Sequence, residues 1–308
     1  MNSYEALRSR AAWIDLSGRG QIRATGEDRA RLLHAMSTND VNRLEPWRGL
    51  YAFFLTAQGR IIADANIYNL GDSLWLDTEP ETRAILFSHL DKYIIADDVT
   101  LEDETENWAV IGLEGPHALE TVSTLGQDVP ETDSEIKPWG AGFAVRVAAT
   151  GPVGLRIIVP AAEKSGIIAQ LEALGIPQAS PEDVNIVRLE NGRARYGEDI
   201  SERYLVQETQ MLSAVSFNKG CYLGQEIVER IRSRGQVHRL LTPIHIHGAE
   251  APKAGTKLRI GDKDVGEITS AAVSPALKEV VALAYLRTDN IAKGARFSLG
   301  EAGEAYLP

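Results

Sequence analysis

The chain has a single cysteine among 308 residues, which excludes a disulfide framework and any four-thiolate iron-sulfur centre built from one copy. No apolar run approaches the ~20 residues that cross a bilayer. The opening stretch, MNSYEALRSRAAW, lacks an apolar core followed by a small-residue cleavage site, so no secretory leader is expected there. A soluble protein of a reducing compartment, the cytoplasm, is the expectation, with no membrane partner. Basic residues are also scarce, 32 against 43 acidic ones. The resulting net charge of −11 argues against a protein that grips nucleic acid. Gly-x-x-x-x-Gly-Lys-Ser/Thr, Gly-x-Gly-x-x-Gly and Gly-x-Ser-x-Gly are all missing, so phosphate-loop, dinucleotide and α/β-hydrolase sites lack their residues.

What remains is an ordinary globular composition, 44% hydrophobic and 24% charged, at a length that suits two domains. Residues 20–24 read as a strand, and Thr25 to Asp28 as a capping box opening a helix with Ala30, Leu33 and Met36 on its apolar side. Tyr51 to Ala57 and Arg60 to Tyr68 form a hairpin around Gln58-Gly59. Further strands fall at 73–77, 108–113, 143–147 and 155–159. Helices fall at about 80–93, 161–174 and 181–190, the last with Ser180 as N-cap and Pro181 in its first turn. Strict strand-helix alternation is absent, which favours α+β over a doubly wound fold. Beyond Leu240, short strands punctuated by Gly, Pro and Asp predict a small β-barrel. The two domains are therefore 1–238 and 239–308, with the boundary inside Gly235 to Pro243.

Chemistry concentrates in 213–235. Ser213, Val215 and Phe217 alternate as a strand would, Asn218-Lys219-Gly220 turns, and Leu223, Ile227 and Ile231 recur at helical spacing until Gly235. Cys221 is thereby expected at a strand-to-helix junction, where the helix dipole and nearby Lys219 would lower its pKa and make it a nucleophile, ligand or redox group. A lone cysteine is, on composition alone, more often a small buried hydrophobe. Residues 219–239 carry Lys219, Arg230, Arg232, Arg234 and Arg239 against Glu226 and Glu229, a local positive stretch that fits an anion site or a solvated helix face. Glu226 and Arg230 stand four apart, in the order that favours an ion pair, or that holds a guanidinium beside a bound anion. His245 and His247 share one strand face without a third ligand, so an exposed face is preferred to a metal site. The acids between Asp97 and Glu106 read as a solvated loop.

The run Lys219-Gly220-Cys221-Tyr222-Leu223-Gly224-Gln225-Glu226, with Arg230 beyond it, resembles the signature of YgfZ-type folate-binding proteins, relatives of the glycine-cleavage aminomethyltransferase (T-protein). The likeness extends through Asp15-Leu-Ser17, Gly26 to Ala30, Ser37 to Val41, Gly59 to Asp64, Gly112 to Pro116, Thr150 to Pro160, Arg188 to Ile200 and Asp264 to Ser270 through Ser274-Pro275. The resemblance implies a T-protein-like ring of lobes, two α+β and one C-terminal β-barrel, around a central cavity for tetrahydrofolate or another reduced folate. It implies Asp64, Glu190 and Tyr196 as folate-binding residues and Arg156 where the transferases often carry an acid. It also implies Cys221, tuned by Lys219 and Arg230, as the functional thiol of a factor that supports assembly or repair of iron-sulfur clusters in client enzymes. In the transferases Asp64 is preceded by a second acid. Here that residue is Ala63, and the T-proteins lack the cysteine, so the assembly reading is preferred on sequence. The alternatives are a folate-dependent aminomethyl or methyl transferase, which would make the chain an enzyme, and a scaffold whose basic helix docks on an acidic partner.

Overall fold

In the computed structural model, which describes residues 2–300 and 303–308, two five-stranded antiparallel sheets and a closed six-stranded barrel meet around a common hollow. The first sheet runs in the order Arg48–Leu55, Ile61–Asn69, Leu74–Thr78, Gly20–Thr25, Thr100–Asp103. Alternation along its strands puts Phe54, Ala63, Ile67, Leu76 and Ile22 on one face, where Leu33 and Met36 of helix Arg29–Met36 and Leu86 and Leu90 of helix Arg83–Asp91 cover them. Such a face turns to the core, and the opposite face is left for the hollow.

The second sheet is ordered Ala12–Asp15, Trp108–Glu114, Gly154–Pro160, Gly142–Val145, Ile136–Trp139. Its apolar face, with Trp13, Ile111, Leu155 and Ile157, packs on Val122, Ile167 and Leu171 of two helices. Its first strand comes from the N-terminal segment, in register Ala12↔Glu114 to Asp15↔Ile111. That segment begins with helix Ser3–Ser9, capped by the Asn2 side chain, and packs on helix Pro181–Glu190. The latter starts as its sequence dictates. Ser180 accepts a hydrogen bond from the Asp183 N–H, and Pro181 occupies the position where a missing N–H costs nothing.

The barrel closes through Arg239–His247, Glu279–Arg287, Lys263–Ser274, Lys257–Ile260, Arg296–Ser298 and Glu304–Tyr306, so that no edge strand is exposed. Ile244, Leu258, Ile268, Val280 and Phe297 fill it. Two local expectations fail. Asp28, not Thr25, is the N-cap of helix Arg29–Met36 and gives it no side-chain cap bond, because its carboxylate accepts the Asp98 N–H instead. Residues 213–217 form no strand. Leu212–Ala214 is a 3-10 turn whose backbone bonds to the loop after the second helix, Thr38 Oγ1 donating to the Ala214 carbonyl and the Ser216 N–H to the Thr38 carbonyl.

Candidate functional site

The hollow has a volume of about 880 Å³. The first lobe contributes Tyr51, Asp64, Asn66 and Glu79, the second Arg146 to Ala149 and Arg156, the barrel Leu241, Pro243 and Leu283, and the turn after helix Pro181–Glu190 contributes Gly192 to Tyr196.

Asp64 reaches the hollow because its strand alternates. Ala63 and Ala65 face the helices, while Asp64 and Asn66 face inward. Tyr51, on the facing strand, donates its hydroxyl to Asp64 Oδ2 at 2.6 Å, while Oδ1 is buried with no hydrogen-bond partner. Burial and the negative charge of Glu79 raise the Asp64 carboxyl to about 6. Burial and Asp64 in turn hold Tyr51 well above the ordinary phenol range. Asp64 is therefore a carboxyl poised to change protonation in the neutral-to-acid range, with one oxygen uncommitted. The sequence reading missed Tyr51. Its only signal was its place in the hairpin facing Asp64's strand.

Around Asp64 runs a belt of ion pairs that joins all three lobes. Arg156 of the second sheet binds Asp77, as does Arg19 through Nε at 2.6 Å. Arg19 also binds Glu79, which accepts from Arg195 at 3.0 Å. Arg195 reaches Glu198 at 2.9 Å, Glu198 pairs with Arg188, and Arg188 bonds Asp199 at 2.8 Å. Asp199 finally accepts the hydroxyls of Thr269 and Ser270 of the barrel. The two guanidinium groups hold buried Asp77 down at about 2, outweighing its desolvation. Arg156, standing where an acid was expected, is thus a member of this belt.

Tyr196 is buried against the hollow, but its hydroxyl donates to the Ile62 carbonyl at 2.7 Å. It therefore braces the strand that carries Asp64. Glu190 is not brought together with these two. Successive residues of a helix are rotated by about 100°, so Arg188 faces the hollow and Glu190 the opposite side. There Glu190 accepts the hydroxyls of Tyr4 and Ser274 and pairs with Arg8 at 2.9 Å, beside a separate hollow of about 310 Å³.

Cys221 is exposed and lies outside the lining of the central hollow. Helix Gln225–Arg234 starts four residues later, after Gly224, so the cysteine is not at the helix N-terminus. Lys219 is engaged elsewhere. Its buried ammonium donates to the carbonyls of His34, Ser37 and Asn39 at 2.5–2.7 Å and lies 4.9 Å from the centre of the Tyr222 ring. Burial lowers its pKa to about 8, against the opposing pull of the Asp40 charge. Lys219 is in this way a clamp that fixes the cysteine loop to the 34–39 segment, whose Asn39 does line the hollow. Arg230 is exposed, and among the described residues neither it nor Glu226 makes an ion pair. Gly224 explains why the motif needs glycine. Its φ is +84°, and a Cβ there would lie 2.7 Å from the Thr56 carbonyl oxygen in the first-lobe hairpin. Among the described residues no group of three His, Cys, Asp or Glu could hold a metal ion.

Residues 1–219 match the family model described as the GCVT N-terminal domain, and residues 239–306 the one described as the glycine cleavage T-protein C-terminal barrel domain. The aminomethyltransferase of Rubrobacter xylanophilus is 28% identical over 293 residues, covering 92% of this chain and 78% of the relative. That of Nostoc sp. is 27% identical over 323 residues, covering 98% and 84%. The crystal structure of glycine cleavage system aminomethyltransferase T from Bartonella henselae superposes with a TM-score of 0.89 at 18% identity, over 99% of this chain and 87% of that one, a likeness of fold.

Proposed function

The chain belongs to the glycine cleavage T-protein family, and from that premise we propose that it binds a reduced folate in the central hollow and serves folate-dependent aminomethyl or methyl transfer. The observation that carries this reading is Asp64, with its unpartnered Oδ1 turned into a lobe-junction cavity of about 880 Å³, inside the range of small-ligand sites. The residues present suit the ligand, since a pterin offers ring N–H and amino donors to a carboxylate acceptor. A bound reduced folate supplies the nitrogen atoms that carry the one-carbon unit. The chain supplies a carboxyl near its titration point, which can take or return a proton, and Tyr51 to aim it. Tyr196 and the ion-pair belt keep that strand and the three lobes in place.

The sequence argument against transfer was the missing first acid at position 63. In this fold Ala63 is sealed in the apolar core beneath the helices, so a carboxylate there would not stand in the hollow beside Asp64. Its absence subtracts nothing from the cavity.

A second reading, support of iron-sulfur cluster assembly or repair in client proteins, is favoured by one observation. Cys221 is exposed on a loop that Lys219 ties, through the Ser37 and Asn39 carbonyls, to a segment whose Asn39 lines the hollow. Calorimetric titration with tetrahydrofolate tests the common premise, and Asp64→Ala should weaken binding at least tenfold. Formation of 5,10-methylenetetrahydrofolate from tetrahydrofolate and an aminomethyl-loaded lipoylated carrier, with release of ammonia and the free dihydrolipoyl thiol, tests transfer. Loss of client-enzyme activity in cells carrying Cys221→Ser, with turnover intact, would favour the second reading instead.

A further inference from the structure

The hollow of about 310 Å³ beside Glu190 takes no part in the site described above. It lies where the N-terminal helix, the second lobe, the end of helix Pro181–Glu190 and the barrel come together. Its walls are largely apolar, with Leu7 and Val187 buried and Pro116, Pro152, Val153 and Leu277 reaching toward solvent. The loop 149–153 separates it from the central hollow, and Pro152 lines both. That partition is held firmly. The buried Glu114 carboxylate accepts the Ala149 and Thr150 N–H groups at 2.8 and 3.1 Å and the Thr150 hydroxyl at 2.8 Å, while Arg193 Nη2 donates to the Gly151 carbonyl at 2.8 Å. The second hollow is therefore formed before any ligand arrives, which removes an ordering cost from binding.

The polar groups of this wall decide what it can hold. Glu190 is its one acidic side chain, and both oxygens are engaged: Oε1 accepts the hydroxyls of Tyr4 and Ser274, and Oε2 pairs with Arg8 Nε at 2.9 Å. Little is left there for a ligand cation. Arg8 turns only its Nε to Glu190, and among the described residues its two Nη atoms donate no hydrogen bond. The backbone N–H groups of Gly151 and Val153, which also belong to the wall, have no partner among the described residues. Asn191 spends its amide N–H on the Val187 carbonyl and keeps a neutral oxygen. We propose that this hollow is a second small-molecule site, separate from the central one, whose ligand class is an aromatic carboxylic acid. The ring lies against the apolar wall, with the Asn191 oxygen open to a ring N–H, and the carboxylate meets the Nη edge of Arg8. A guanidinium presents N–H groups along two edges, so Arg8 serves Glu190 on one and the ligand on the other.

The test uses indole-3-acetate, with tryptamine as the partner probe that keeps the ring and replaces the carboxylate by an ammonium. Binding is measured by calorimetry, or by ligand-observed NMR where it is weak, for the wild type, Arg8→Gln, Arg8→Lys and Leu277→Glu, with thermal melting as a check that each is folded. Leu277 is 44% exposed, so its replacement puts a repelling charge at the edge of the hollow without opening the core. The wild type is expected to bind indole-3-acetate with a Kd of about 0.1–1 mM, the scale of a fragment-sized ligand, and tryptamine at least tenfold more weakly. Arg8→Gln and Leu277→Glu should each weaken the acid about tenfold, and Arg8→Lys should retain part of the affinity. A wild type that binds neither probe, or both alike, overturns the proposal. Undiminished binding of the acid by folded Arg8→Gln and Leu277→Glu overturns it too, because the acid then sits elsewhere.

Discussion

Replacing Asp64 by Asn should make the ligand-free protein more stable at neutral pH while impairing its chemistry. The Asp64 carboxyl titrates near 3.8 when unfolded and near 6 when folded, because burial and Glu79 disfavour its charge. A folded pKa raised above the unfolded one means that the carboxyl's contribution is fully present below 3.8 and is lost as the pH rises through about 6. At pH 7.5 the ionised group therefore costs about 3 kcal/mol relative to a neutral one, and at pH 5 about 1.5 kcal/mol. Asparagine keeps the oxygen that accepts the Tyr51 hydroxyl and never ionises. Urea unfolding of the two proteins should accordingly show the variant ahead by up to about 3 kcal/mol at pH 7.5, with the gap roughly halved at pH 5. A gap that is absent, or equal at both pH values, would refute the claim that this carboxyl is desolvated and strained for function.

Tyr51→Phe removes the hydrogen bond that favours the ionised form of Asp64, so the pH midpoint of folate-dependent turnover should rise above that of the wild type; an unmoved midpoint in a pH-rate profile speaks against the pair. Lys219→Met deletes the donor shared by three carbonyls and should cost about 2–4 kcal/mol in urea unfolding, far more than an exposed lysine would. Cys221→Ser should leave the calorimetric affinity for tetrahydrofolate within about twofold, because the sulfur lies outside the cavity lining; a larger loss would place the thiol at the ligand.

The parts of this protein that could be read from sequence are those specified by neighbours along the chain. The hairpin around Gly59 follows from alternating residues and a glycine with φ +73°, and the helix after Ser180 from its cap and Pro181. Residues 213–217 alternate too, yet Ala214 and Val215 are buried by packing against Phe53 and its neighbours, and the backbone bonds to a loop rather than to a strand. Alternation alone does not supply a pairing partner. Asp64 and Tyr196 were placed at the hollow by the family pattern, whereas Glu190 was assigned to it without regard to helical phase, which gives that side to Arg188. The belt was invisible for a different reason. Arg19 and Asp77, Arg156 and Asp77, and Arg195 and Glu79 meet across 58 to 116 residues, and such pairings leave no periodic trace.

The strand Ala12–Asp15 sits in the second sheet against Trp108–Glu114, roughly a hundred residues away, and Tyr4 lies beside Glu190 and Ala276. During synthesis residues 3–15 therefore leave the ribosome well before the surfaces that will receive them exist. Helix Ser3–Ser9 and strand Ala12–Asp15 must wait unpaired, available to chaperones, until those later portions arrive.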